Sequence, residues 1–165
     1  MQRETYKSLV ATVMPHVKEL FPWDVEEMQE AGKEFMIVDV RCPSEFQVMH
    51  IDGSLDVPRG ILEVACDWGY EETEPALVEA REREILVVCR SGNRSILAAH
   101  TMQLMGFKHV YSLKTGLRGW NDYELPLVFA NGNRVPQETA DKYFASIVEP
   151  EKPGPKQRNT LTISR

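Results

Sequence analysis

The residues whose types and spacing can do chemistry are Cys89-Arg90-Ser91-Gly92-Asn93-Arg94-Ser95. They follow the apolar run Ile85-Leu86-Val87-Val88 and open a helical pattern that begins near Arg94. In a parallel α/β sheet, ligands bind at the carboxyl ends of strands, and Cys89 sits at such an end. Gly92 lets the chain turn tightly, so that successive backbone N–H groups can point inward around an anion. The helix start adds unpaired N–H groups and the positive end of its dipole, while Arg90 and Arg94 add formal charge. Each of these favours a thiolate over a thiol, as for cysteines at helix N-termini, which titrate at ~3.5–7.5 rather than ~8.5. The expectation is a nucleophilic Cys89 acting on a small anion, with Arg90, Ser91, Gly92, Asn93, Arg94 and Ser95 as the binding loop. Cys89 as a mere apolar strand end would leave two arginines, a glycine and a helix start within six residues unexplained.

Spacing separates chemistries. Cysteine-dependent phosphatases share a C-x5-R loop that wraps a tetrahedral phosphate, whereas Arg94 stands five positions after Cys89, giving C-x4-R. A loop one residue shorter makes a tighter cradle, suited to a persulfide or a small sulfur group.

The elements that must position this loop are legible as strands alternating with helices, the pattern of a parallel α/β sheet. Residues 5–20 read as a helix broken by Pro15, then an extended piece at Val17–Leu20. Pro22 suits the first turn of a helix, with Asp24, Glu26 and Glu27 near its positive end and Gly32 as its stop, although Phe21 is a poor cap. Phe35–Val40, Ser54–Val57, Ile85–Cys89 and His109–Ser112 read as strands. The loop leads into a helix from Arg94 to Met105, with Leu97, Thr101, Leu104 and Met105 on one face and Gly106 as its stop. Gly116–Tyr123 is a short helix, and Glu138–Val148 a further one carrying Tyr143, Phe144 and Ile147. Residues 63–84, with eight acidic side chains against Arg81 and Arg83, read as a solvated connection.

Composition narrows the classes. The 165 residues, 42% apolar and 27% charged, suit one globular domain with an extra terminal segment. Net charge is −6, and residues 1–148 stand near −8, which gives no footprint for nucleic acid. No stretch approaches the ~18 apolar residues of a membrane helix, and the start lacks a secretory signal, so a soluble, cytoplasmic protein is expected. Cys42, Cys66 and Cys89 lack CxxC spacing, which argues against a zinc site or disulfide framework. Two unrelated buried thiols are the expectation for Cys42 and Cys66.

At the Cys89 loop the chain resembles the rhodanese family of sulfurtransferases, whose active loop is six residues beginning with the catalytic cysteine. Asp39-Val40-Arg41, Glu45-Phe46 and His50-Ile51 resemble that family's D-V-R…E-[FY]…H-I segment. Val57-Pro58-Arg59-Gly60 with Leu62-Glu63, and Gly116, Trp120 and Leu125-Pro126 of the closing G-G-x-x-A-W…L-P, extend the likeness over about residues 17–128. The resemblance implies a rhodanese-like three-layer α/β/α fold with a five-stranded parallel sheet at 17–128. A helical segment (1–16) precedes it, and a helical extension (129–148) and a flexible tail (149–165) follow.

It also implies a persulfide mechanism with no metal or organic cofactor. Cys89 takes the outer sulfur of thiosulfate and passes it to cyanide, a thiol or a sulfur-carrier protein, while Arg90 and Arg94 attract the anionic donor. An alternative within this chemistry is a carrier that delivers a Cys89 persulfide with little turnover of its own. Met49, Asp52, Thr115, Gly119 and Cys42 depart from the family pattern outside the loop. Arg41 and Glu45, four apart, are expected to pair internally, His50 to hold a turn and Trp120 to lie in the core. Trp23, Trp68 and Tyr70 are candidates for a pocket rim.

Overall fold

The computed structural model describes residues 2–145 together with Val148 and Lys152. Its centre is a sheet of five parallel strands, β1 (Lys18–Leu20), β2 (Met36–Asp39), β3 (Leu55–Asp56), β4 (Glu84–Val88) and β5 (His109–Leu113), in the order β1-β5-β4-β2-β3. The three-layer expectation holds, and strand alternation shows why. Ile85, Val87 and Cys89 point to one face with Val38 and Val110, while Leu86 and Val88 point to the other with Ile37, Tyr111 and Leu113. Both faces are apolar, so both must be covered.

The first face is covered by α1 (Tyr6–Val13), α4 (Leu62–Ala65), α5 (Pro75–Val78) and α6 (Arg94–Leu104). The second is covered by α2 (Pro22–Glu30), α7 (Gly116–Asp122) and α8 (Gln137–Phe144). Pro15 ends the first helix in a single 3-10 turn, Met14–His16, as its missing N–H requires. At α2 the weak cap Phe21 is relieved by Asp24, whose Oδ2 accepts the Phe21 N–H at 2.8 Å. Helix α3 (Pro43–Val48) between β2 and β3 has no counterpart in the sequence reading.

Three expectations are corrected here. The buried face of α6 is Ser95, Ile96, Ala98, Ala99 and Met102; Leu97 and Met105 pack at its margin, and Leu104 is 77% exposed. The acidic stretch 63–84 is only half a solvated connection. Glu63, Asp67, Glu71, Glu72, Glu79 and Glu82 face water, but Ala65, Cys66, Leu77 and Ala80 are core. Arg81 ties this stretch down by donating to the carbonyls of Cys66, Val78 and Met105 at 2.6, 2.7 and 3.0 Å. Helix α8 begins at Gln137 and ends at Phe144. Ile147 and, Lys152 apart, the expected tail 149–165 lie outside the described residues.

Candidate functional site

Cys89 leaves β4 at the carboxyl edge of the sheet and is 1% exposed. Gly92, at φ +93°, swings the chain back so that its N–H donates to Cys89 Sγ at 3.1 Å, and the Ser95 N–H donates at 3.3 Å. Asn93 occupies the N-cap of α6 without a side-chain capping bond, and Sγ stands where a capping oxygen would, receiving the second amide of the helix. Ser95 Oγ lies 3.3 Å from Sγ and 2.7 Å from Ser112 Oγ on β5. A thiol donates to that hydroxyl, whereas a thiolate turns it into a donor. Gly92 cannot be larger, because a Cβ there would meet Thr115 N at 3.0 Å and Leu113 O at 3.1 Å.

The loop is also held from outside. The first amides of α7 donate to its carbonyls, Leu117 N to Cys89 O at 2.8 Å and Arg118 N to Arg90 O at 3.0 Å. A Cβ on Gly116 would lie 2.5 Å from the Arg90 carbonyl and Ser91 N. Thr115 sits in the left-handed region at φ +69°, which is rare for a β-branched residue. Its hydroxyl lies 1.7 Å from where an alanine methyl at 119 would stand. The two departures from the family's closing pattern, Thr115 and Gly119, therefore complement each other in volume.

The arginines are placed differently from each other. Arg94 opens α6 at the loop, and its guanidinium forks onto Glu45 at 2.9 Å on both arms. Burial would raise the Glu45 carboxyl, but the Arg94 hydrogen bonds and the Cys42 amide override it and lower its pKa to about 2. Arg41 does not pair with Glu45 as expected. Fully buried, it forks onto Asp39 (2.7 and 2.9 Å) and donates to Met49 O at 2.8 Å. Arg90 reaches the end of α8, donating to Phe144 O at 3.1 Å and Ala145 O at 3.3 Å. Its guanidinium also faces the Phe144 and Tyr143 rings.

His50 holds its turn through Nδ1 against Phe46 O at 3.0 Å, with the two rings stacked. Trp120 is core, its Nε1 donating to Pro126 O. Cys66 is buried, which pushes its thiol up to about 11, but Cys42 is exposed, against expectation, because it caps the outer end of α3. Trp68 and Tyr70 lie exposed in the acidic stretch. Trp23 does line a cleft of about 540 Å³ that starts at Ser91 and Thr115 and runs along Arg118, Gly119, Asp122 and Tyr123. The sequence reading missed Arg118; its signal was a cation two residues after the closing glycine, in the first turn of the helix.

The Glu45–Arg94 clamp gives a pH-dependent result. A carboxyl whose pKa falls on folding, from 4.5 to about 2, stabilises the fold above pH 4.5 and loses that contribution as pH falls through about 2. Glu45→Gln is therefore expected to lower stability by about 1 kcal/mol at neutral pH, the pair being partly exposed. In urea titrations at stepped pH the gap to wild type closes between pH 4.5 and 2. A gap independent of pH would remove the clamp from the account.

Fold and loop together define an α/β protein with a cysteine cradled by backbone amides at the carboxyl edge of a parallel sheet. Residues 22–123 match the family model Rhodanese-like domain, and the chain belongs to that family. It is 35% identical over 92 residues to YrkF of Bacillus subtilis, provisionally named a sulfur carrier, covering 55% of this chain and 44% of YrkF. It is 28% identical over 131 residues to a Schizosaccharomyces pombe protein provisionally named a mitochondrial thiosulfate sulfurtransferase, covering 74% of this chain and 88% of that one. Among solved structures, a Rhodopseudomonas palustris protein of unknown function, described as a possible tyrosine phosphatase, superposes with a TM-score of 0.69 at 28% identity. That likeness covers 78% of this chain and 97% of the other. The chain spans less than half of YrkF and about a fifth of a Drosophila virilis adenylyltransferase and sulfurtransferase, MOCS3, that it also matches. Among the described residues, no helix is long and apolar enough to cross a membrane.

Proposed function

We propose that the protein is a sulfurtransferase that carries sulfane sulfur as a persulfide on Cys89, with thiosulfate as a donor. The observation that carries this reading is the pair of amides, from Gly92 and Ser95, aimed at a buried Sγ in a loop of six residues. The Cys89 thiolate attacks the outer sulfur of thiosulfate; the S–S bond of the donor breaks, and sulfite leaves with the electron pair. An acceptor nucleophile, cyanide or a thiolate, then attacks the terminal sulfur, and the electron pair of the Sγ–S bond returns to Cys89. Each step moves one bond and one electron pair, so no general base is needed once the thiolate exists. In this reading the backbone of residues 90–95 holds the persulfide, while Arg94, already neutralised by Glu45, acts chiefly as a clamp.

The names given to YrkF and to the S. pombe protein support sulfur chemistry, and they also sustain the second reading, a carrier that hands its persulfide to a partner protein. Intact mass after thiosulfate treatment, beside a thiocyanate assay, separates the two. Addition of about 32 Da at Cys89 with rapid thiocyanate release is the result expected of the enzyme, and stable loading without turnover that of the carrier. No addition to Cys89 from thiosulfate or a polysulfide would end both. The phosphatase description of the R. palustris structure adds a control. The C-x4-R spacing predicts no hydrolysis of an aryl phosphate, and hydrolysis lost in Cys89→Ser would reverse that prediction.

A further inference from the structure

We infer that the cleft beside the loop is the acceptor subsite, and that it takes a small amino-acid thiol, one carrying a carboxylate and an ammonium on the same carbon. This deepens the sulfurtransferase reading and rests on it. The cleft, about 540 Å³, is built along the outer face of α7. Arg118 and Asp122 stand one helical turn apart on its wall, yet they form no ion pair with each other. Among the described residues neither side chain has any other hydrogen-bonding or ionic partner. The neighbouring acid on α8, Asp141, is already committed to Asn121 and Gln137.

A guanidinium and a carboxylate on side chains whose Cβ atoms stand about 5–6 Å apart, as i, i+4 helix positions do, match a zwitterionic head group, which can place its carboxylate on one and its ammonium on the other. The cleft also has an aromatic lining. Trp23, 46% exposed, is stacked on Phe21 at 4.4 Å and meets Tyr123 edge-on at 5.7 Å, so a flat apolar surface is held in place for the ligand's carbon chain. The cleft is also lined by Gly119 and by the side chain of Thr115, which fills the space a methyl at 119 would take. The inner end is Ser91, on the loop whose amides hold Sγ. The transfer step is balanced without an oxidant: the acceptor thiolate attacks the terminal sulfur of the persulfide, a new S–S bond forms, and the Cys89 thiolate leaves.

The test is acceptor kinetics with Cys89 first loaded from thiosulfate. Arg118→Ala is expected to raise the KM for cysteine about tenfold, the loss of one charge-assisted contact, while leaving kcat and the KM for cysteamine, which has no carboxylate, unchanged. Asp122→Asn is expected to raise the KM for cysteine and cysteamine but not for 3-mercaptopropionate, which has no ammonium. Turnover with cyanide is expected to be unchanged in both variants. Equal effects on all three thiols, or none, would overturn the inference while leaving the persulfide mechanism standing. If Cys89 fails to load, the mechanism falls, and the cleft is judged by binding alone. S-methylcysteine is then expected to change tryptophan fluorescence in wild type but not in Trp23→Phe, and to bind more weakly to Arg118→Ala; equal binding by wild type and Arg118→Ala would reject the subsite.

Discussion

Cys89→Ala is expected to lower sulfur transfer by about 10³-fold or more and to abolish the mass gain on donor treatment. The change removes one buried sulfur and leaves two amides, Gly92 N and Ser95 N, without their acceptor. A cavity this small and two unsatisfied donors at the sheet edge cost about 1–2 kcal/mol, so the variant should unfold cooperatively at slightly lower urea. Alkylation of wild type should then report on three thiols separately. Cys42 is exposed and labels, Cys66 is buried with its pKa pushed up to about 11 and stays unlabelled at neutral pH, and Cys89 after loading takes the label on its outer sulfur, from which a reducing thiol removes it. Residual transfer in Cys89→Ala carried by Cys42 or Cys66 would show that the loop was assigned the wrong task.

Gly116→Ala is expected to be strongly damaging, costing about 3 kcal/mol or more. Two effects coincide there. The backbone at φ +63° disfavours any side chain, and the new Cβ would stand 2.5 Å from the Arg90 carbonyl and Ser91 N, both backbone atoms with no rotamer to yield. The collision displaces the loop, so persulfide loading should fall together with the urea midpoint. Gly132→Ala is the control. It has a similarly positive φ, +85°, but nothing within 4 Å, and should cost only about 1 kcal/mol, the conformational part alone. Equal losses in the two variants would mean that close packing of α7 on the loop contributes nothing.

The strands could be read from the sequence because a buried parallel strand is a continuous apolar run, and Ile85 to Cys89 is one. The cysteine loop could be read because its residues are contiguous. What escaped depended on partners distant in the chain. Glu45 looked like the mate of Arg41, four positions away, but Arg41 is turned inward by Asp39 at the end of β2, which frees Glu45 for Arg94 across 49 positions. The acidic count of 63–84 masked Leu77 and Ala80, whose burial depends on Arg81 reaching three carbonyls. On α6 the large Leu104 outweighed Ala98 and Ala99, yet close approach of helix to sheet selects small residues, so the alanines face inward.

The contact between Thr115 and Gly119 also constrains descent. An ancestor carrying the family's glycine and alanine at these positions could not have acquired threonine first, since its hydroxyl would have stood 1.7 Å from the alanine methyl. Shrinking at 119 had to precede growth at 115, and reversal must retrace that order. The pair is an ordered latch in the lineage: threonine at 115 is tolerable only beside glycine at 119, so position 119 cannot regain its methyl while the threonine stays.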